Sequence, residues 1–376
     1  MIMDHRAVAA GEPTRIANGA TVERLFTTAS GERFVSRYTE LAEDIRESGL
    51  LRRRYGFYWS RIVIAIAAFA GLWAGFFLLG NSWFQLLLAA ALGVLVAQFG
   101  FLGHDAAHYQ MFDSRSWNAW TARILAGVFA GLSYSWWRAK HNRHHASPNR
   151  EGYDPDIAAG AIAFTPAIVN SRSGLLGWMA RHQGWLFFPL LTLEGLNLHL
   201  ESLKIGLDRA SGHPWRRLEF CLVATRLAAY IAVLLVFLPV GLAAAFFAIQ
   251  MAVFGLCLGA AFAPAHKGMP LIPATMKLDF LRRQVMVSRN IRGGLAVDFM
   301  MGGLNYQIEH HLFPSMPRSN LKKAQPLVRA HCEREGIVYT ETSLLHSFGL
   351  VIGYLNNVGL RARDPFDCPL ATQLRA

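Results

Sequence analysis

The chain has 376 residues, of which 53% are hydrophobic and only 16% charged, with a mean hydropathy of +0.25. A soluble domain carries about 25% charged residues, so this composition argues against an ordinary soluble globule. The formal net charge of +12 is spread over the polar segments, which argues against nucleic acid and fits a membrane protein with a large cytoplasmic face.

In chain order, residues 1–40 are polar and lack the apolar stretch of a cleaved signal peptide, so they read as a cytosolic tail. After Arg61 an uncharged run reaches Gly103, with Gly80-Asn81-Ser82 at its middle. Each half has about 20 residues, enough to cross roughly 30 Å of hydrocarbon as a helix. The run ends at His104-Asp-Ala-Ala-His108. The stretch Trp120–Ser135 is too short to cross and is expected to lie in the interface. It leads to His141-Asn-Arg-His144-His145, followed by Asp154-Pro155-Asp156, which is either a turn of solvated acids or a source of partners for the histidines. Trp185–His199 contains Glu194 and is also expected to be interfacial. A second uncharged run, Leu227 to His266, is broken at Leu238-Pro239-Val240-Gly241. The third histidine cluster is Gln307-Ile-Glu-His310-His311. The expected fold is an all-α integral membrane protein. Four transmembrane helices form two hairpins, joined by interfacial helices and a cytosolic helical cap that holds the metal site. Residues 41–350 would form this domain and 351–376 a C-terminal tail.

Neither tight turn carries Lys, Arg, Asp or Glu. The positive-inside rule therefore puts the other side, both termini and all histidine clusters in the cytoplasm. Clusters about 200 residues apart can then close on one centre. On a helix, residues at i, i+3 and i+4 share a face. His141, His144 and His145 point one way, as do Gln307, His310 and His311, and His104 pairs with His108. With His266, eight of the 14 histidines are gathered in this way. Any one cluster alone could be an ordinary helix face. Together they exceed what one zinc needs, and the four cysteines show no paired spacing that would signal a thiolate site. Two metal ions with about four nitrogen ligands each fit better, and imidazole suits iron, copper, nickel and zinc. Two close redox metals at a membrane surface suggest oxygen activation on a lipid. His182, His199, His213, His331 and His346 lack partners and are read as structural.

Gly103-His104-Asp105-Ala106-Ala107-His108, the cluster His141–His145, and Asn305-Tyr306-Gln307-Ile308-Glu309-His310-His311-Leu312-Phe313-Pro314 resemble the three histidine boxes of the membrane-bound fatty acid desaturases. The leading Gln307 resembles the front-end and linoleoyl-CoA desaturase branch, and Ala265-His266-Lys267-Gly268-Met269-Pro270 resembles a segment that supplies a further ligand. The resemblance covers roughly residues 40 to 350. It implies two iron ions and O2 as co-substrate, with His104, His108, His141, His144, His145, His266, His310 and His311 as ligands. The substrate would be an acyl-CoA or acyl-lipid in contact with membrane lipid. Gln307 would occupy a ligand position and either hold a water or orient a neighbour. No His-Pro-Gly-Gly haem motif of a fused cytochrome b5 domain occurs, so the resemblance implies a separate donor of the ferredoxin or cytochrome b5 type with its reductase.

Three further expectations follow from the chemistry. Ligating histidines donate their second N–H to acceptors, and Asp105, Asp154, Asp156, Asp298 and Glu309 flank the clusters. Arg138, Lys140 and Arg143 are either ordinary cytoplasmic-side charge or contacts for a carrier's phosphates or an acidic redox partner. Gly93, Ala97 and Phe101 step along one helix face towards His104 and are candidates to line an acyl tunnel. A membrane hydroxylase would use the same chemistry. A metal transporter is disfavoured, because transporters place ionisable residues inside their spans and these runs have none.

Overall fold

The computed structural model describes residues 31–208, 212 and 214–361. His213, Cys368, most of the N-terminal tail and the chain beyond residue 361 lie outside the described residues.

Helix α1 (Gly31–Glu47) precedes the first hairpin, α2 (Tyr55–Leu79) and α3 (Gln85–Ala107). Then come α4 (Arg115–Arg123), a π-helical segment (Ile124–Ala130), α5 (Tyr134–Ala146), α6 (Pro166–Asn170), α7 (Gly174–Arg181), α8 (Gln183–Leu191) and α9 (Glu194–Leu207). The second hairpin is α10 (Arg216–Phe237) and α11 (Val240–His266). The chain closes with α12 (Phe280–Met286), β1 (Asn290–Arg292), α13 (Leu295–Met300), α14 (Gln307–Leu312), α15 (Arg318–Arg334), β2 (Glu341–Ser343) and α16 (Leu344–Arg361). Three residues of β1 pair in parallel with β2, Asn290 opposite Glu341, and a single bridge joins Arg150 to Ile272; the other described elements are helices and their connecting loops.

Four helices, α2, α3, α10 and α11, are long and apolar enough to cross a bilayer. The shortest has 22 residues, or about 33 Å at 1.5 Å per residue. The protein is an all-α membrane protein. Both hairpin turns fall at the expected glycine and proline breaks. The second hairpin starts earlier than its uncharged run: α10 begins at Arg216 and carries Glu219 and Arg226. Those charges hide the start of the span from a reading that looks only for uncharged sequence.

Helices α3 and α11 pack side by side, and Gly93 sets their closest approach. A Cβ there would meet the Gln250 carbonyl oxygen and Val253 Cβ, both at 2.8 Å. The aromatic and aliphatic core between the spans is built on Phe99, Phe101, Phe246 and Phe254. A second core joins α1, α12, α14 and α15 through Leu41, Ile45, Leu281, Ile308, Leu312 and Val328. A third holds α16 against α8 through Val351, Tyr354, Leu355 and Phe187, so packed helix continues past residue 350. The two stretches expected to be interfacial are broken into short helices, α4 with the π-helical segment, and α8 with α9.

Candidate metal centre

Two of the long helices, α3 and α11, end at the histidines, and two short helices, α5 and α14, bring the others to the same place. His104 lies in the last turn of α3, with His108 capping it, and His266 is the last residue of α11. α5 contributes His141, His144 and His145, and α14 contributes Gln307, His310 and His311. Ser133 accepts a hydrogen bond from the Trp136 N–H and caps α5.

The eight histidines fall into two groups. The ring nitrogens of His104, His108, His141 and His310 converge within 4.8 Å of one another, as do those of His144, His266 and His311. His145 stands between the groups. Its Nε2 is 3.0 Å from His141 Nε2, and its ring stacks on His311 at 4.2 Å between centroids. The expected shared faces are therefore divided. His310 and His311, adjacent on α14, serve different groups, and so do His141 and His144.

The tautomers follow from the outer contacts. Nδ1 of His144 is 3.0 Å from both oxygens of Asp154 and 3.5 Å from Asp156. His266 Nδ1 donates to the Val287 carbonyl oxygen at 3.0 Å, and His311 Nδ1 to Gln284 Oε1 at 2.9 Å. A nitrogen that faces an acceptor carries the proton, which leaves Nε2 as a lone pair. Three such lone pairs then point together: His266 Nε2 is 3.3 Å from His144 Nε2 and 3.1 Å from His311 Nε2. Lone pairs cannot hydrogen-bond to one another, and a cation between them resolves the conflict. In the other group Nε2 of His104, His108 and His310 is buried without a partner, an arrangement native structures rarely leave unexplained. Burial, and after it the neighbouring imidazoles, push His108, His141, His145, His310 and His311 well below the ordinary histidine pKa. They remain neutral near pH 7, the form that binds metal. The donor set fits a metal centre.

Gln307 Nε2 lies 2.9 Å from His266 Nε2, with Oε1 buried and unpartnered. Among the expected supporting acids, Asp105 approaches His104 Nδ1 at 3.4 Å and accepts from Arg318 Nε at 2.6 Å. Asp154 and Asp156 support His144, and Lys140 pairs with Asp156 at 2.9 Å. The other two face elsewhere. Glu309 accepts from Asn290 and Tyr339, both at 2.7 Å, and Asp298 accepts from Asn305 at 2.8 Å. On a helix the residue beside a co-facial pair points about 100° away, which turns Glu309 from its histidine neighbours into the cap core. Arg138 donates to the Tyr109 hydroxyl, and Arg143 is exposed.

Of the remaining histidines, His199 donates from Nδ1 to the Gly131 carbonyl oxygen at 2.9 Å, and burial followed by the charge of Arg226 pushes its pKa down to about 3. His182 contacts the Trp178 carbonyl oxygen, His331 accepts from Arg334, and His346 is exposed.

A cavity of about 630 Å³ opens onto His104, His141, His144 and His266. Its apolar wall includes Gly100, Phe101, Ala126, Leu258 and Phe262, and its polar rim Lys140, Asp156, Glu194 and Lys267. Of the expected tunnel residues Phe101 lines it. Gly93 and Ala97 do not, because both are spent on packing: Gly93 against α11, and Ala97, fully buried, in the core between the spans.

The sequence reading missed the anchor of α5. Glu219 on α10 accepts from Ser133 Oγ at 2.7 Å, Ser135 N at 2.9 Å, Ser135 Oγ at 2.7 Å and Arg123 Nε at 3.1 Å. The signal was a lone carboxylate beside an apolar run, which is costly unless paired. Removing one partner of a buried ion pair costs about 3–5 kcal/mol. Glu219→Ala is therefore expected to lower the thermal midpoint of the detergent-purified protein and to loosen the second histidine cluster. An unchanged midpoint would sink this account of the anchor.

Residues 81–343 match the family model described as fatty acid desaturase. The chain is 27% identical to the Delta(8)-fatty-acid desaturase of Helianthus annuus, over 87% of this chain and 74% of the relative. It is 29% identical to an acyl-lipid (9-3)-desaturase of Physcomitrium patens, over 86% of this chain and 64% of the relative. It is 30% identical to a Delta(5) fatty acid desaturase of Caenorhabditis elegans, over 85% of this chain and 73% of the relative. With four apolar helices, a buried cluster of histidines where two of them end, and this match across most of its length, the chain belongs to the fatty acid desaturase family.

Proposed function

We propose that this membrane fatty acid desaturase, an oxidoreductase acting on acyl lipid or acyl-CoA, holds two iron ions and uses O2 to insert a double bond into an acyl chain. The observation that carries the reading is the division of the histidines into two converging groups with His145 between them. In this assignment His104, His108, His141 and His310 hold one ion, and His144, His266 and His311 the other, with His145 available to either. Such a centre, when bound, supplies the activation of O2 that removes two hydrogens from the chain.

The protein's own residues do the rest. Asp154 and the Val287 carbonyl keep the protons of His144 and His266 on Nδ1, so both Nε2 atoms face inward. Gln307, a weaker donor than histidine, holds a water or steadies His266. The cavity takes the acyl chain, each buried methylene contributing roughly 0.8 kcal/mol, and its apolar wall excludes water from the carbons beside the histidines. Lys140 and Lys267 at the rim are placed for the polar end of the substrate. The absence of charge in both hairpin turns supports a cytoplasmic active site and cytoplasmic termini. Electrons then come from a separate carrier of the ferredoxin or cytochrome b5 type with its reductase.

The expected metal content of active protein is about two iron ions per chain, read by elemental analysis of the purified enzyme. An active preparation holding only zinc, or a single iron, rules the assignment out. Mass spectrometry of the product distinguishes loss of two hydrogens from the gain of oxygen that a hydroxylase would give.

A further inference from the structure

The segment just before the third histidine cluster carries an apolar surface that the cap does not use. Leu295 is 85% exposed, Phe299 47% and Met300 46%. Between Arg292 and Glu309 the only charge is Asp298, whose carboxylate is turned inward onto Asn305. On a cap bathed in water this would be an unfavourable surface.

The position of the segment tells what covers it. Gln98 Nε2 on α3 donates to the Phe299 carbonyl oxygen at 3.0 Å. Gln98 continues the outward stripe of α3, which runs through Phe84, Leu87, Ala91 and Leu95 and is most exposed at Phe84 and Leu87. These residues are spaced three and four apart, so they share one face of a membrane-spanning helix. Gln98 lies six residues before His104, which is about 9 Å along the helix axis from the histidine end. Helices that lie in the interface bury their apolar face by roughly 5–10 Å. A carbonyl at that depth needs protein donors, since hydrocarbon offers none, and the Phe299 oxygen has two, Gln98 Nε2 and the Gly302 N–H at 3.2 Å.

We propose that residues Leu295–Met300 form a lipid-inserted wedge. They would lie in the membrane leaflet on the histidine side, against the outer face of α3, with Leu295, Phe299 and Met300 among acyl tails. Two contacts tie the wedge to the residues around the metal centre, one from its middle and one just past its C-terminal end. Gly302, at φ +58°, packs on Phe101 so tightly that a Cβ would lie 2.3 Å from the ring. Asp298 bonds Asn305, two residues before Gln307. Seating the wedge in lipid would therefore fix the depth at which His310 and His311 meet the other histidines.

The test is spin labelling of the full chain in phosphatidylcholine vesicles. Leu295→Cys and Phe299→Cys are made in a background where Cys221, Cys257, Cys332 and Cys368 are replaced, with Glu333→Cys on the exposed face of α15 as the aqueous control. Molecular oxygen concentrates in hydrocarbon and a polar nickel chelate does not. The ratio of oxygen to chelate collisions is expected to be roughly tenfold higher at 295 and 299 than at 333. A ratio like that of the control means the segment sits in water and overturns the proposal. Low collision with both reagents means another protein surface covers it, which also overturns it. Should the cysteine-free background not fold, Leu295→Trp in the native chain gives the same reading. Phosphatidylcholine with brominated chains should quench the added emission, and absence of quenching refutes the wedge.

Discussion

His144→Ala or His310→Ala is expected to abolish desaturation while the protein still inserts in the membrane. Each removes one nitrogen from a different group, so both test the two-group geometry. Loss of a partner that only orients a ligand typically costs 10–100-fold in affinity or activity, and loss of a ligand itself is expected to exceed that. Iron content should fall with activity, because the remaining Nε2 atoms no longer enclose the ion. His346 is exposed and belongs to neither group, so His346→Ala should leave activity largely intact. Gln307→His is expected to give reduced but detectable activity. It adds a nitrogen where the amide now sits 2.9 Å from His266 Nε2, and the ring needs room the amide does not. Comparing fatty acid profiles of membranes with equal amounts of each variant is the measurement. Equal loss from His144→Ala, His310→Ala and His346→Ala would mean the clustered histidines have no special role.

The parts of this molecule that were legible in the sequence are those set by local pattern. Uncharged runs broken by Gly80-Asn81-Ser82 and Leu238-Pro239 become hairpins because hydrocarbon excludes charge and unpaired backbone groups. Histidines at i, i+3 and i+4 reach the same side of a helix because helical geometry puts them there, although they then divide between the two groups. What was not legible depends on which surfaces meet. The split of His310 from His311 is decided by where α3 and α11 stand around α14. Glu219 belongs to no local motif and gains its role only where α10 meets Ser133 and Ser135. Glu309 adjoins His310 in sequence and yet serves Asn290 and Tyr339, since a helix turns adjacent side chains apart. Leu295 and Phe299 carry no distinguishing pattern, and the contacts of Gln98 with the Phe299 carbonyl and of Gly302 with Phe101 place them beside α3.

The wall of the cavity gives the other large effect. The cavity face of α3 is Gly100, Phe101, Gly103 and His104, which begins about one turn nearer the histidines than Ala97 and about two turns nearer than Gly93. Gly100 is the lining residue of α3 farthest from its histidine end, and Leu258 is its counterpart on α11. They mark the deep end of the cavity. A Cβ at Gly100 would touch only Leu258 Cδ2, at 3.5 Å, which is ordinary contact. The backbone therefore tolerates a side chain there, and a large one must enter the cavity. Gly100→Phe is expected to expel the end of the acyl chain and leave both histidine groups in place. Each methylene excluded costs roughly 0.8 kcal/mol, so three excluded methylenes amount to about 2.4 kcal/mol, or roughly 50-fold in preference for the shorter chain. Ala97→Trp makes the contrasting case. Ala97 is fully buried outside the cavity, so the indole has nowhere to go, and the expected result is lost protein and not altered selectivity. Acyl-chain analysis of lipids from cells expressing Gly100→Phe is the measurement, with iron content as the control. If iron is retained and chain-length preference is unchanged, the acyl chain does not occupy this cavity.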